Sequence, residues 1–291
     1  MFGRLVTAMI TPFKEDLSLD IERAKELADR LIGDGTDTVL VGGTTGESPT
    51  LTHEEKLSLY DAVIQHLKGR AKVMCGTGTN NTADSVSFSK EVEELKPDAL
   101  LVVSPYYNKP PQDGLYRHFK AIASAVSIPI MIYNIPGRCG VNILPETMTK
   151  IADVENIVAL KEAAGSVEQC ALMVKATPED FLIYSGDDGL TIPFMSVGAV
   201  GVVSVLGNIY GKRLKDAMLS FLDGDVKRAS EEHRALLPLI HGLFLTANPI
   251  PVKAMIRLMG FDCGGVRLPL VDPDEALLGR LKKILTDLGL I

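Results

Sequence analysis

Two kinds of pattern alternate along the chain. The first is a short β-branched run of about five or six residues, the form taken by strands buried on both faces. Such runs fall at 5–10, 38–41, 72–75, 99–103, 129–133, 157–161, 181–184 and 200–205. The second is an amphipathic stretch. Ile21, Ala24, Leu27, Ala28, Leu31 and Ile32 recur at helical spacing, with Gly33 placed as a C-terminal stop. Thr52-His-Glu-Glu55 has the form of a capping box that opens a second helix. A third covers about 83–95 and stops before Pro97, and others begin near Gln112, Pro145, Ser166, Leu190 and Asn208.

A helix signal after every strand signal predicts a parallel sheet. Eight such units predict an α/β chain closed into a (β/α)8 TIM barrel, which needs about 250 residues, and 291 are present. A doubly wound open sheet is the rival; the unbroken count of eight favours the barrel. Past Asp223-Gly224-Asp225 the pattern is helical only, over about 226–246, 249–259 and 273–288. The expected division is a barrel with the active site over 1–224 and a C-terminal helical extension over 225–291.

Composition narrows the function classes. With 46% apolar and 23% charged residues, disordered, collagenous and coiled-coil chains are excluded. Thirty basic against 37 acidic residues leave a net charge of −7, and an acidic surface argues against nucleic acid as a partner. Cys75, Cys139, Cys170 and Cys263 contain no C-x-x-C pair, which fits a reducing cytoplasm. The N-terminal residues show no charged stretch followed by a long apolar one, so no secretory signal is expected. Residues 189–211 carry no charge, a length that could span a bilayer. Five glycines, Pro193, Ser196, Ser204 and Asn208 interrupt them, so a short buried helix followed by a strand is expected, and no membrane partner.

In a barrel of this kind chemistry sits where the strands end. Those ends carry Gly42-Gly-Thr-Thr-Gly-Glu47, Ser104-Pro-Tyr-Tyr-Asn-Lys-Pro110, Tyr133-Asn-Ile-Pro-Gly-Arg138, Lys161 and Ser185-Gly-Asp-Asp188. Hydroxyls, tyrosines, an arginine and one embedded lysine would face a common mouth. On a strand of period two, Ile157, Ala159 and Lys161 share one face. If that face lines the barrel, apolar walls disfavour the ammonium, lower its pKa towards neutrality and free a nucleophilic lone pair. Imine formation with a ketone requires that lone pair. The simpler role, a lysine paired with a carboxylate or reaching to solvent, is disfavoured by the small residues on its face and the tyrosines nearby.

The Gly42-to-Gly46 turn offers backbone N–H groups and two hydroxyls, suited to a carboxylate, although an ordinary turn has the same composition. No Gly-Lys-Ser/Thr follows it, so it is not a phosphate loop. Arg138, after Pro136-Gly137, is expected in a stiff loop where a guanidinium could take a carboxylate in bidentate fashion; a plain surface arginine is the rival. Tyr106, Tyr107 and Tyr133 all lie at strand ends, where a phenol can relay protons or simply pack, packing suiting Tyr106 better than Tyr107. His53, His66, His118, His233 and His241 form no H-x-H or H-E-x-x-H group, so no metal is expected. No G-x-S-x-G elbow is present. Asp187-Asp188 could hold a metal, but adjacent aspartates more often serve a turn or helix start.

These motifs together, with Thr7-Ala-Met-Ile-Thr-Pro-Phe13, resemble the dihydrodipicolinate synthase family of the pyruvate-dependent class I aldolase superfamily over nearly the whole chain. The resemblance implies a lyase-type synthase that condenses pyruvate with L-aspartate 4-semialdehyde to 4-hydroxy-tetrahydrodipicolinate, on the way to diaminopimelate and lysine. It assigns Lys161 to the imine and Thr44, Tyr133 and Tyr107 to a proton relay, Tyr107 reaching in from a neighbouring subunit. It gives Thr45 the pyruvate carboxylate and Arg138 the carboxylate of the semialdehyde. Gly186 and Val203 line the pyruvate pocket, Val203 standing where isoleucine is frequent. No metal or organic cofactor is implied, and the expected assembly is a cytoplasmic homotetramer, a dimer of dimers.

Siblings in the superfamily, N-acetylneuraminate lyase and 2-keto-3-deoxy-sugar-acid aldolases, share the lysine and tyrosine. Arg138 discriminates, because a sugar tail wants neutral partners and a second carboxylate wants a cation. A catalytically silent binding protein on the same scaffold is the reading from another class. For regulation, Ser48, His53, Asn80, Asp84 and Tyr106 match the lysine-effector positions or nearby chemistry. Lys56 stands where lysine-sensitive relatives carry histidine, and Asp84 is shorter than their glutamate. An added ammonium beside an ammonium effector predicts weak or absent lysine inhibition.

Overall fold

The computed structural model describes residues 1–291. Eight strands close into one parallel barrel in chain order. They are β1 (Leu5–Ala8), β2 (Thr38–Val41), β3 (Lys72–Gly76), β4 (Ala99–Val103), β5 (Ile130–Asn134), β6 (Ile157–Glu162), β7 (Leu182–Ser185) and β8 (Gly201–Ser204). Between them run α1 (Ile21–Gly33), α2 (His53–Leu67), α3 (Thr82–Glu94), α4 (Gln112–Ala123), the single turn α5 (Pro136–Cys139), α6 (Pro145–Ala152), α7 (Val167–Ala176) and α8 (Thr191–Met195). After β8 the chain is helical: α9 (Gly207–Leu222), α10 (Val226–Gly242), α11 (Ile250–Leu258) and α12 (Glu275–Asp287). The closed parallel barrel excludes the open-sheet rival. No helix is long and apolar enough to cross a membrane, and residues 189–211 form the short α8, then β8 and the start of α9.

The chain forms two compact units, Met1–Ala71 with Ser204–Ile291, and Lys72–Val203. In the first, α1 buries Ala24, Leu27, Ala28 and Leu31 on one stripe, and Asp20 caps it by accepting from Arg23 N. Gly33 is not the stop that its position suggested. It is the last helical residue, Asp34 is the cap, and the left-handed turn falls at Gly35, with φ of +93°. The capping box of α2 forms as expected: Thr52 N donates to Glu55 Oε2 at 2.9 Å and Glu55 N to Thr52 Oγ1 at 3.2 Å. The apolar runs at 5–10 and 200–205 are longer than the strands they make. Beyond Ala8, Ile10 N turns to Asn208 Oδ1 at 3.2 Å, and beyond Ser204 the chain enters α9, where Gly207 N donates to Ser204 Oγ at 2.8 Å.

The helices after α9 reach back to the loop that follows β2. Lys253, on α11, and Glu47 are both 0% exposed at the side chain and pair at 2.9 Å. The same Nζ donates to Thr11 O at 2.9 Å and Gly265 O at 2.5 Å, and lies 4.2 Å from the Phe13 ring centroid. Burial lowers the Lys253 ammonium pKa and the Glu47 carboxylate opposes that shift. Glu47 holds a left-handed backbone, φ +53°, and its second oxygen accepts from Arg267 N at 3.0 Å. The Arg267 guanidinium then grips Glu55 at 2.6 and 2.7 Å.

In the second unit the strand ladders run in register from β3 to β8 except at one place. Ile130 pairs with Ile157 but Met131 pairs with Ala159, so Val158 is an extra residue, a β-bulge. Counting by twos from Ile157 therefore misplaces that first residue. Beyond the bulge the alternation holds: Ala159 pairs with Met131 and Lys161 with Tyr133, on one face, while Leu160 pairs with Ile132 on the other.

Replacing Lys253 by Met leaves the Glu47 carboxylate buried without its cation, which costs roughly 3–5 kcal/mol. Urea unfolding reads this as a lowered midpoint. The double change Lys253→Met with Glu47→Leu is expected to recover only part of it, because the ion desolvation penalty disappears but Thr11 O, Gly265 O and Arg267 N lose their partners.

Candidate active site

Lys161 sits at the C-terminal end of β6 and is 6% exposed. Its Nζ lies 4.1 Å from the centroid of the Tyr133 ring, the residue opposite it in the ladder, and Tyr133 is itself 5% exposed. Burial lowers the Lys161 pKa to about 7; the charge of Arg138 acts in the same direction and that of Asp188 opposes it. At neutral pH a large fraction of this amine is uncharged, with an electron pair available to a carbonyl carbon. Close packing surrounds it. Gly186, just past β7, has no room for a side chain: an added Cβ would meet Ala163 Cβ at 2.6 Å and Lys161 Cε at 3.1 Å.

The next residue points to the other side of the sheet. Glu162 is 0% exposed, and its carboxylate accepts from Ala164 N at 2.7 Å, Asn134 Nδ2 at 3.1 and 3.2 Å and Gln169 Nε2 at 3.2 Å. Burial raises its pKa against those hydrogen bonds. Asn142 completes the network, accepting from Asn134 Nδ2 at 2.8 Å and donating to Gln169 Oε1 at 2.7 Å. These bonds tie β5 to β6 where Tyr133 and Lys161 stand side by side. Sequence reasoning passed over all four residues; Asn134 and Glu162 directly follow the apolar runs 129–133 and 157–161, and each strand extends one residue further to include them.

The loop after β2 is a compact turn. Gly46 N and Ser48 N donate to Gly43 O, and Glu47 N donates to Thr44 O. Only part of the expected row of amides is thus open; the N–H groups of Thr44 and Thr45 have no acceptor within the fold. Gly42, with φ of +65°, is required, because a Cβ there would collide with the Tyr60 hydroxyl. Thr44 is half-buried and Thr45 is 3% exposed, its Oγ1 accepting from Asn248 Nδ2 at 2.9 Å. Two amides at a tight turn, with a hydroxyl beside them, suit a carboxylate. Asn248, Lys253 and Arg267 left no trace in the sequence as neighbours of this loop, since about 200 residues separate each from it.

Arg138 stands on the one-turn helix α5 rather than in a loop, because Pro136 opens that turn and Gly140, with φ of +72°, closes it. It is exposed and forms no ion pair within the chain. Val203 is buried in β8. Tyr107 is 88% exposed with φ of +74°, and Tyr106 is 39% exposed, so packing inside this chain accounts for neither. Asp187 does serve a turn, accepting from Gly189 N at 2.8 Å, while Asp188 is buried. Of the effector-position residues, His53 and Asp84 are exposed, and Ser48, Lys56 and Asn80 are half-buried. Burial lowers the Lys56 pKa.

A closed parallel barrel bearing a buried amine of this kind is built for covalent chemistry on carbonyl compounds. The family model of the dihydrodipicolinate synthetase family matches residues 1–288, and the chain belongs to that family. It is 47% identical over 291 residues to a 4-hydroxy-tetrahydrodipicolinate synthase of Desulforamulus reducens, covering 100% of this chain and 98% of that one. To 4-hydroxy-tetrahydrodipicolinate synthase 1 of Halalkalibacterium halodurans it is 51% identical over 269 residues, 92% of this chain and 91% of the other. Among solved structures, the dihydrodipicolinate synthase of Cyanidioschyzon merolae with lysine bound superposes with a TM-score of 0.98 at 43% identity, covering 100% of this chain and 99% of that one.

The lowered Lys161 pKa has a consequence for stability. Below about pH 7 the folded state holds a buried ammonium and carries the whole desolvation penalty. Between about 7 and the ordinary value of 10.5 the unfolded chain binds a proton that the folded one does not, so stability rises with pH. Lys161→Met removes the charge. At pH 6 it is expected to unfold at higher urea than the parent, by roughly 3–5 kcal/mol, and the gap is expected to close as pH rises towards 10.5.

Proposed function

We propose that this chain condenses pyruvate with L-aspartate 4-semialdehyde to give 4-hydroxy-tetrahydrodipicolinate, a step towards diaminopimelate and lysine. The observation that carries the reading is the amine of Lys161, buried, with a pKa near 7 and in contact with the Tyr133 ring. Neutral Lys161 attacks the pyruvate ketone, and loss of water gives an iminium that draws electrons from the neighbouring methyl. A methyl proton leaves, and the resulting enamine carbon bonds to the aldehyde carbon of the semialdehyde. The amine of the new chain then displaces Lys161 by transimination, closing the six-membered ring and returning the free enzyme. Tyr133, with Thr44 and Tyr107, carries protons at imine formation and cyclisation.

Thr45 takes the pyruvate carboxylate, and Gly186 and Val203 shape the pocket for it. Arg138, a cation with no carboxylate partner in the chain, takes the carboxylate of the semialdehyde. The assembly this reading carries is a homotetramer of tight dimers in which the exposed Tyr107 enters a neighbouring copy; sedimentation at micromolar protein reads the subunit number. Ser48, His53, Asn80, Asp84 and Tyr106 form the corresponding effector region, and the ammonium of Lys56 makes inhibition by lysine weak.

Borohydride reduction in the presence of pyruvate is expected to add mass at Lys161 and none to Lys161→Met. Arg138→Ala is expected to raise KM for aspartate semialdehyde about a hundredfold, the loss of a charge-assisted bidentate contact, while leaving pyruvate trapping intact. A coupled assay with aspartate semialdehyde, sialic acid and 2-keto-3-deoxy sugar acids separates the proposal from its superfamily siblings. Turnover of the sugar acids in place of the semialdehyde would falsify it, and absence of any adduct removes the imine mechanism altogether.

A further inference from the structure

Asn248 lies just before α11, 203 residues from Thr45, and is 7% exposed. Its Nδ2 donates to Thr45 Oγ1 at 2.9 Å, and its Oδ1 has no hydrogen-bond partner in the protein. A threonine hydroxyl that accepts from an amide keeps its own proton for another acceptor. Were the amide turned over, Oδ1 would take that proton and the hydroxyl would lose its capacity to donate outwards. The segment carrying Asn248 is anchored independently, because Lys253 on the following helix is fixed by Thr11 O, Gly265 O and Glu47. Glu47 in turn belongs to the same turn as Thr45, so the helix and the turn are held together at two points.

We infer that Asn248 is a positioning residue for the keto acid: its amide orients the Thr45 hydroxyl so that the O–H is presented to the substrate carboxylate beside the amides of Thr44 and Thr45. The inference rests on the proposed reading that pyruvate is the first substrate and that Thr45 meets its carboxylate. It gives the helical segment after the barrel a part in substrate recognition that no motif in the sequence announces.

The test measures the pyruvate concentration that half-saturates borohydride trapping at Lys161, followed by intact-protein mass. N248A is expected to raise it about tenfold, the worth of one oriented hydrogen bond. N248D keeps the shape but accepts the Thr45 proton, so it is expected to raise it further. T45A and the double variant T45A/N248A are expected to match, since Asn248 acts through Thr45. Acetone, a ketone with no acceptor in the place of the carboxylate, is expected to half-saturate trapping of N248A and N248D at the parental concentration, and this also verifies that both variants are folded. The inference is overturned if N248D behaves as the parent, if the two single effects multiply in the double variant, or if acetone is weakened as much as pyruvate. A parent protein that gives no adduct with pyruvate overturns the underlying reading itself, a result distinct from all of these.

Discussion

The structure turns on keeping one amine out of water. An ammonium in an apolar interior is penalised by several kcal/mol even after the surroundings relax, and the fold tolerates Lys161 by letting it give up its proton near neutral pH. Every neighbour bears on that equilibrium. The face of Tyr133 covers one side, Gly186 permits close packing on another, and Arg138 adds positive charge at a distance while Asp188 opposes it.

Holding that amine in place is a separate task, and polar groups behind the strand perform it. The Glu162 carboxylate, fixed by Asn134, Gln169 and a backbone amide, makes β5 and β6 behave as one piece at the ends where the reactive side chains emerge. The turn after β2 receives comparable support from the far end of the chain, where Lys253 and Arg267 converge on Glu47. A buried ion pair is a weak source of stability by itself. Its value here lies in geometry, because Glu47 sits in a left-handed conformation that an unsupported glutamate seldom keeps.

Local pattern carried much of this. The strands and most helices follow from hydrophobic period, and Lys161 stands out because a lysine inside a β-branched run contradicts its surroundings. Gly42, Thr44, Thr45 and Arg138 are visible as turn chemistry at strand ends. What stayed hidden has two physical origins. Asn248, Lys253 and Arg267 act across about 200 residues of chain, a separation to which no window of sequence is sensitive. Asn134 and Glu162 were overlooked because a buried carboxylate is acceptable only when its partners are known, and two of those partners, Asn142 and Gln169, lie outside the strands. Gly33 misled for a smaller reason: the helix ran one residue further and left the positive φ to Gly35.

The bulge at Val158 gives β6 one spare residue. A lineage that lost Val158 would retain Tyr133 opposite the amine, with a straighter strand. A deletion of Leu160 would instead shift the remainder of the strand by one step, bringing the carboxylate of Glu162 to the face of the sheet that the amine now holds. Gaps in this strand are therefore not equivalent, and its length can drift over evolutionary time only at the end remote from the reaction.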